Sequence, residues 1–124
     1  MDDLKNIQQG TLKVSEDVIH TIVSLAVEET EGIDSLAPLT NNMSGVLFKK
    51  KELKNIKIKT IADSVEIEVF VIAKYGFKIS SVGEKLQERI KNDVQSMTGI
   101  RVSRVSVKFT DIAFEESEET KENN

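Results

Sequence analysis

The chain has no cysteine among its 124 residues and only one histidine. Disulfide bonds, thiolate nucleophiles and thiolate metal sites are therefore excluded, and a dedicated zinc site is not expected. No window approaches the roughly 18 apolar residues that a membrane-spanning helix needs, and the N-terminus lacks the apolar core of a signal peptide. We therefore expect a cytoplasmic protein that reaches a membrane only peripherally or through a partner.

Catalytic motifs are also missing. The sequence contains no nucleophile elbow of the G-x-S-x-G type, no phosphate-binding P-loop and no G-x-G-x-x-G dinucleotide fingerprint. The lone histidine, His20, projects onto the polar side of the first predicted helix, where it is interpreted as a solvated residue. We expect a non-enzyme with no catalytic residue, no metal site and no cofactor.

The composition that remains is that of one globular domain. Hydrophobic residues make up 39% of the chain and charged residues 31%. Residues 115–124 hold five glutamates and one lysine, which accounts for the whole net charge of -4. The sequence predicts a flexible N-terminus over 1–9, a single α+β domain over 10–113 and an acidic, disordered tail over 114–124. The folded body is close to neutral, so bulk charge does not favour a nucleic-acid partner.

The first helix follows a short predicted strand at Leu12 and Val14. Ser15 stands where an N-cap belongs, and Gly32 is the expected stop. The apolar positions of this helix sweep an arc of about 200°, which is wider than one sheet face needs. They are Val18, Ile19, Ile22, Val23, Leu25, Ala26 and Val27. The helix is either seated deeply in the core, or one shoulder of its stripe meets another subunit.

Residues 33–54 carry turn-forming residues such as Pro38 and Gly45 and predict a loop, with Ser44 as a possible start of a short helix. From Asn55 the hydrophobic period falls to two, which predicts a hairpin with Ala62 and Asp63 at its tip. In that register the facing pairs are Ile56 with Val69 and Ile58 with Ile67 on the buried side, and Lys57 with Glu68 and Lys59 with Glu66 on the outer side.

The second helix is predicted from the capping box of Ser81 and Glu84, and Gly99 is its expected end. Its apolar stripe consists of Val82, Leu86, Ile90, Val94 and Met97. Gly83 projects onto the same side, where the missing side chain would let helix and strand approach closely.

A last strand places Val105, Val107 and Phe109 on one face. Ile100 and Val102 are out of phase with this set, which predicts a bulge near Ser103. The resulting β-α-β-β-α-β order predicts a small, mainly antiparallel sheet with two helices packed on one face.

The strongest surface feature is a basic segment of six lysines: Lys49, Lys50, Lys51, Lys54, Lys57 and Lys59. The facing glutamates partly neutralise the last two, which leaves the first four as candidate interaction residues. This segment is either a solvated face or the binding site of an anionic partner such as RNA or acidic lipid. The acidic tail could fold over it as an internal competitor.

Several short motifs occur in a distinctive order. They are G-x-x-x-V-S-x-x-V-I at Gly10–Ile19, E-G-I at Glu31–Ile33, Y-G at Tyr75–Gly76, M-T-G at Met97–Gly99 and V-x-x-V-x-V from Val102. This pattern, with Gln87 in the second helix, resembles the alkaline shock protein family, small envelope stress response proteins of Gram-positive bacteria. Two departures are the lysine-rich segment and Phe109, which stands where a smaller residue would be ordinary.

The resemblance implies a non-enzymatic protein that self-associates, is often found at the membrane through a small anchoring partner, and serves cell-envelope homeostasis. The matching residues are expected to determine the fold, since the family has no catalytic residues to carry over. We therefore expect a self-associating adaptor or scaffold that also binds an unidentified protein, using an exposed sheet edge or the wide stripe of the first helix. The alternatives are an anion-binding module that uses the basic segment, and a regulatory partner of an enzyme of lipid or envelope synthesis.

Overall fold

The computed structural model describes residues 13–38 and 55–114. In chain order, the elements are α1 (Glu16–Glu29), β1 (Ile33–Leu36), β2 (Ile56–Ile61), β3 (Ser64–Lys74), α2 (Ile79–Thr98) and β4 (Arg101–Ala113). This is the expected α+β class. Neither helix in these ranges is long and apolar enough to cross a lipid bilayer.

β3 is the centre of the sheet. β4 pairs with it in parallel along one edge, because α2 carries the chain back to the start of the sheet. β1 and β2 both pair with β3 antiparallel on its other edge, where they lie end to end. The side-chain amide of Asn55 donates through Nδ2 to the backbone carbonyl of Ala37 at 2.7 Å, which joins the ends of the two strands. Two of the three pairings are thus antiparallel, as predicted.

Both helices pack on one face of this sheet. The inward row of β3 alternates with its outward row, and no member of the inward row is more than 4% exposed. That row is Val65, Ile67, Val69, Val71 and Ala73. Against it lie the buried positions of α2 and the buried side of α1. The core is therefore a single layer between one sheet face and two helices.

The predicted hairpin register is confirmed. Ile56 is opposite Val69, Lys57 is opposite Glu68, and the turn is the two residues Ala62 and Asp63. This register puts the apolar pairs inward and the charged pairs outward, because a strand alternates its two faces.

The bulge at Ser103 is also confirmed. The pairing with β3 shifts there by one residue, so that Val102 lies opposite Val65 and Arg104 lies opposite Glu66. The Ser103 hydroxyl donates to the carbonyl of Val65 at 3.3 Å, which holds the extra residue against the neighbouring strand.

Gly83 brings α2 close to β4, as its position on the helix predicted. A Cβ added at Gly83 would come within 3.3 Å of the Phe109 ring. The large side chain of Phe109 therefore occupies space that the glycine leaves open. This contact gives a physical reason for an aromatic residue where a smaller one would be ordinary.

Arg89 on α2 connects the two helices. Its guanidinium forms ion pairs with Glu29 on α1 and with Asp93 one turn further along α2. The hydrogen bond with Asp93 raises the pKa of Arg89 above its ordinary value, and the charge of Glu29 acts in the same direction. The guanidinium therefore remains charged while it bridges the helices.

The structure corrects three predictions. Residues Ile33–Leu36 form strand β1, although the segment was expected to be a loop. The predicted capping box of Ser81 and Glu84 is wrong, because α2 begins earlier. Its N-cap residue is Lys78, whose side chain makes no capping hydrogen bond. Met97 is 68% exposed and lies outside the core, since the buried stripe of α2 ends at Val94.

Other predictions fall at the limits of the described residues. The first strand was expected at Leu12 and Val14, of which only Val14 is described; it lies outside a strand and packs on the core. The short helix after Ser44 and the flexible N-terminus lie outside the described ranges. Of the predicted tail, only Phe114 is described, and its ring packs on Tyr75 with the centroids 4.9 Å apart.

Gly32 allows a tight connection between α1 and β1. Its φ is +94°, and a Cβ at this position would come within 2.7 Å of a methyl group of Val82. Gly76 has a similar φ of +100°, but a Cβ there would meet nothing within 4 Å. An added side chain would strain the backbone at both positions, but it would clash with a neighbouring side chain only at Gly32.

Gly32→Ala is expected to lower the free energy of unfolding by about 2–5 kcal/mol, because overpacking adds to the left-handed backbone penalty. Gly76→Ala, the matched control, is expected to cost about 1–2 kcal/mol from backbone strain alone. Denaturant titration of both variants measures the difference. Equal losses would show that the contact with Val82 relaxes without cost.

Candidate interaction surfaces

An apolar groove, here called the helix groove, runs between α1 and the last turn of α2. It is lined by Asp17, Val18, Thr21, Ile22 and Leu25 from α1 and by Met97 and Thr98 from α2. Its volume is about 410 Å³. Four of its seven lining residues have large apolar side chains, so it is suited to receive hydrophobic side chains rather than a charged ligand.

The groove exists because the apolar stripe of α1 is wider than the core that it covers. Ile19, Ile22, Val23, Ala26 and Val27 are buried, but Val18 is 46% exposed and Leu25 is 48% exposed. The predicted shoulder of the stripe is therefore open in this structure. The sequence analysis placed Met97 in the core instead of in this groove. The angular position of a residue on a helix does not show how far along the helix the opposing sheet extends.

The free edge of β4 is partly occupied. Gln87 on α2 donates through Nε2 to the carbonyl of Val105 at 3.0 Å, and the backbone amide of Val102 donates to Oε1 of Gln95 at 3.0 Å. Two backbone groups that another strand could use are thus bonded within the molecule. Such protection is one way in which proteins avoid unwanted pairing at sheet edges.

The sheet face opposite the helices, here called the open sheet face, carries a shallow depression of about 450 Å³. Its outward side chains are Lys57 and Lys59 from β2, Glu66 and Glu68 from β3, and Arg104, Ser106 and Lys108 from β4. No described helix covers this face. Four cations and two carboxylates therefore lie together on it.

The charges on the open sheet face pair differently from the predicted pattern. Glu68 bonds to Lys108 of β4, with the charged atoms 3.2 Å apart, instead of to Lys57. The ammonium of Lys57 lies over the ring of Phe70, 5.4 Å from its centroid. Glu66 lies in register between Lys59 and Arg104, but the three side chains form no ion pair with one another in the described structure.

The predicted candidate residues Lys49, Lys50, Lys51 and Lys54 lie outside the described residues. Lys57 and Lys59 are described, and the structure brings them together with Arg104 and Lys108. The parallel pairing of β3 with β4 creates this grouping, and no local sequence pattern indicates it. His20 is partly buried on α1. In the ranges that the structure describes, no group of three or more acidic, histidine or cysteine side chains could hold a metal ion.

Comparison with family models identifies one family for this chain. The model of the alkaline shock protein 23 family, described as having a cell envelope-related function, matches residues 4–114. An uncharacterized protein of Streptococcus pyogenes is 30% identical over 105 residues, which are 82% of this chain and 87% of the relative. A stress response regulator gls24 homolog of the same species is 25% identical over 123 residues, covering 92% of this chain and 65% of that protein. Among solved structures, a MamM CTD variant has a TM-score of 0.50 at 7% identity, over 78% of this chain and 98% of that one, which is a likeness of fold alone.

Glu66→Lys is expected to lower the free energy of unfolding by about 0.2–1 kcal/mol, because the new cation would lie between Lys59 and Arg104. Lys59→Glu in the same chain is expected to restore part of that loss. Denaturant titration of the two single variants and the double variant measures the coupling.

Glu84→Lys, the same change of charge on the exposed side of α2, is the control and should show no coupling with Lys59→Glu. A coupling of zero between positions 59 and 66 would contradict the electrostatic description of this face.

Proposed function

This chain belongs to the alkaline shock protein 23 family, and on that basis we propose that it is a non-enzymatic, self-associating adaptor in cell-envelope homeostasis. The stress response name of a relative supports a role in envelope stress. The contact that we propose is the helix groove of one copy against the helix groove of another.

The exposure of three large apolar side chains in one groove carries this proposal. Val18, Leu25 and Met97 are 46%, 48% and 68% exposed, and they line the same depression. Scattered single apolar residues on a surface are ordinary, whereas a contiguous apolar depression is typical of a contact site. Completing the burial of a half-exposed leucine contributes about 1 kcal/mol.

The arrangement of α1 is self-complementary. Val18 and Leu25 are separated by two helical turns, so an antiparallel pair of α1 helices related by a twofold axis would bring Val18 of each copy against Leu25 of the other. Thr21 lies near the centre of this pair. Its hydroxyl already donates to the carbonyl of Asp17 at 3.0 Å, so its burial leaves no donor without a partner.

The β4 edge of the sheet is a less favourable route than the helix groove. The sequence analysis left open whether copies would meet through an edge strand or through the stripe of α1. Because side chains of Gln87 and Gln95 bond to the backbone of β4, strand addition there would first have to break these bonds. The helix groove requires no such rearrangement.

The non-enzymatic part of the proposal is supported by the nature of both surfaces. Asp17 is the one titratable side chain among the described residues that line the helix groove. The open sheet face holds carboxylates, but these lie among lysines and an arginine on an exposed surface rather than in a closed cleft. Ser106 lies opposite Glu68 on the open sheet face, but the carboxylate of Glu68 is paired with the ammonium of Lys108.

Sedimentation equilibrium over a micromolar concentration range tests the proposed contact. The wild-type chain is expected to form dimers, and the double variant Leu25→Gln/Met97→Gln is expected to raise the dissociation constant at least about tenfold, since about 1.4 kcal/mol is enough for that change. Both side chains are substantially exposed, so thermal unfolding should show that the variant stays folded.

Ile61→Gln is the matched control. Ile61 is 40% exposed, similar to Leu25, but it lies at the hairpin away from the groove. Its substitution should leave the dissociation constant unchanged. A wild-type chain that stays monomeric, or equal weakening by the control variant, would contradict self-association through the helix groove.

A further inference from the structure

The open sheet face has more positive charge than its own carboxylates neutralise. It carries Lys57, Lys59, Arg104 and Lys108 against Glu66 and Glu68. Only one of these cations, Lys108, forms an ion pair within the described residues. The face is thus locally cationic on a chain whose formal net charge is -4.

The chain carries a complementary segment of its own. Residues 115–124 contain five glutamates and one lysine. This segment follows Phe114, directly after β4, which is the strand that contributes Arg104 and Lys108 to the open sheet face. The negative charge is therefore attached to one end of the strand that supplies half of the cations.

The segment is long enough to return over that face. Ten extended residues span up to about 33–36 Å. Lys108 lies six residues before Phe114 on β4, which corresponds to about 20 Å along the strand. After a reversal of a few residues, the rest of the segment spans about 20 Å, so Glu122 could reach Lys108 and the neighbouring Lys57, while the earlier glutamates would lie nearer the end of β4.

We propose that the open sheet face is the intramolecular binding site of the acidic C-terminal segment, residues 115–124. The contact is electrostatic, between the glutamates of the segment and the cations led by Lys57 and Lys108. Exposed ion pairs are individually weak, but a covalent tether supplies an effective concentration in the millimolar range. The segment thereby screens the open sheet face from other acidic partners.

This inference is independent of the proposed self-association. The helix groove and the open sheet face belong to opposite layers of the fold, and they share no residue. Recording the test in the Leu25→Gln/Met97→Gln background keeps the two questions separate, because that variant is designed to remove contact between helix grooves.

Paramagnetic relaxation enhancement tests the proposal on the full chain. The chain has no cysteine, so Thr120→Cys places a single nitroxide label on the acidic segment. The amide signals of Phe70 and Lys108 are expected to lose at least about half their intensity at about 0.01 M salt. They should recover at about 1 M salt, where the Debye length falls to about 3 Å.

Two variants of equal charge change identify the site. Lys57→Gln/Lys108→Gln should abolish most of the intensity loss at Phe70. Lys85→Gln/Lys91→Gln, which neutralises two exposed lysines of α2, should preserve it. Unchanged intensities at low salt in the parent protein, or losses that both double variants reduce equally, would overturn the proposal.

A mixed sample determines which copy supplies the segment. Isotope-labelled protein without nitroxide is combined with unlabelled protein that carries the nitroxide. The intramolecular proposal predicts no intensity loss in this mixture. The mixture could instead show a loss of signal intensity at Phe70 and Lys108 as large as in the chain that carries both labels. That result would assign the face to the segment of a second copy and would overturn the intramolecular contact.

Discussion

The strict alternation along β3 is the constraint on which the rest of the structure depends. Every second side chain from Val65 to Ala73 is buried against the helices, while the side chains between them face outward. A shift of one residue would exchange the two rows and place glutamates in the core. Because all other strands pair with β3, this one register determines which residues of β2 and β4 face inward and which lie on the open sheet face.

One-sided packing explains why the molecule has two interaction surfaces of opposite character. Two helices cover one face of the sheet, so the other face needs polar side chains and receives lysines, arginine and glutamates. On the helical side, the sheet is too narrow to cover the whole stripe of α1. Val18 and Leu25 are left beside Met97 as an apolar groove. We relate the groove to contact between copies and the charged face to the acidic end of the chain.

The sequence predicted the parts of the fold that local patterns specify. The hairpin register followed from a two-residue turn that satisfied apolar and charged pairs together, and the bulge at Ser103 followed from a change of phase. Strand β1 was missed because four residues are too few to show a period. The grouping of Arg104 with Glu66 could not be foreseen, since it depends on which strand lies beside β3, a non-local choice. Met97 was misplaced because a helical projection gives direction but not the extent of the opposing layer.

The account rests on the helix groove being the place where this chain is contacted. The most direct measurement is a concentration series of methyl NMR spectra on selectively labelled wild-type protein. The account predicts that the methyl signals of Val18, Leu25 and Met97 shift together as concentration rises, while those of Ile61 and Val105 stay constant. Signals that do not respond to concentration, or shifts confined to the sheet edge, would contradict it.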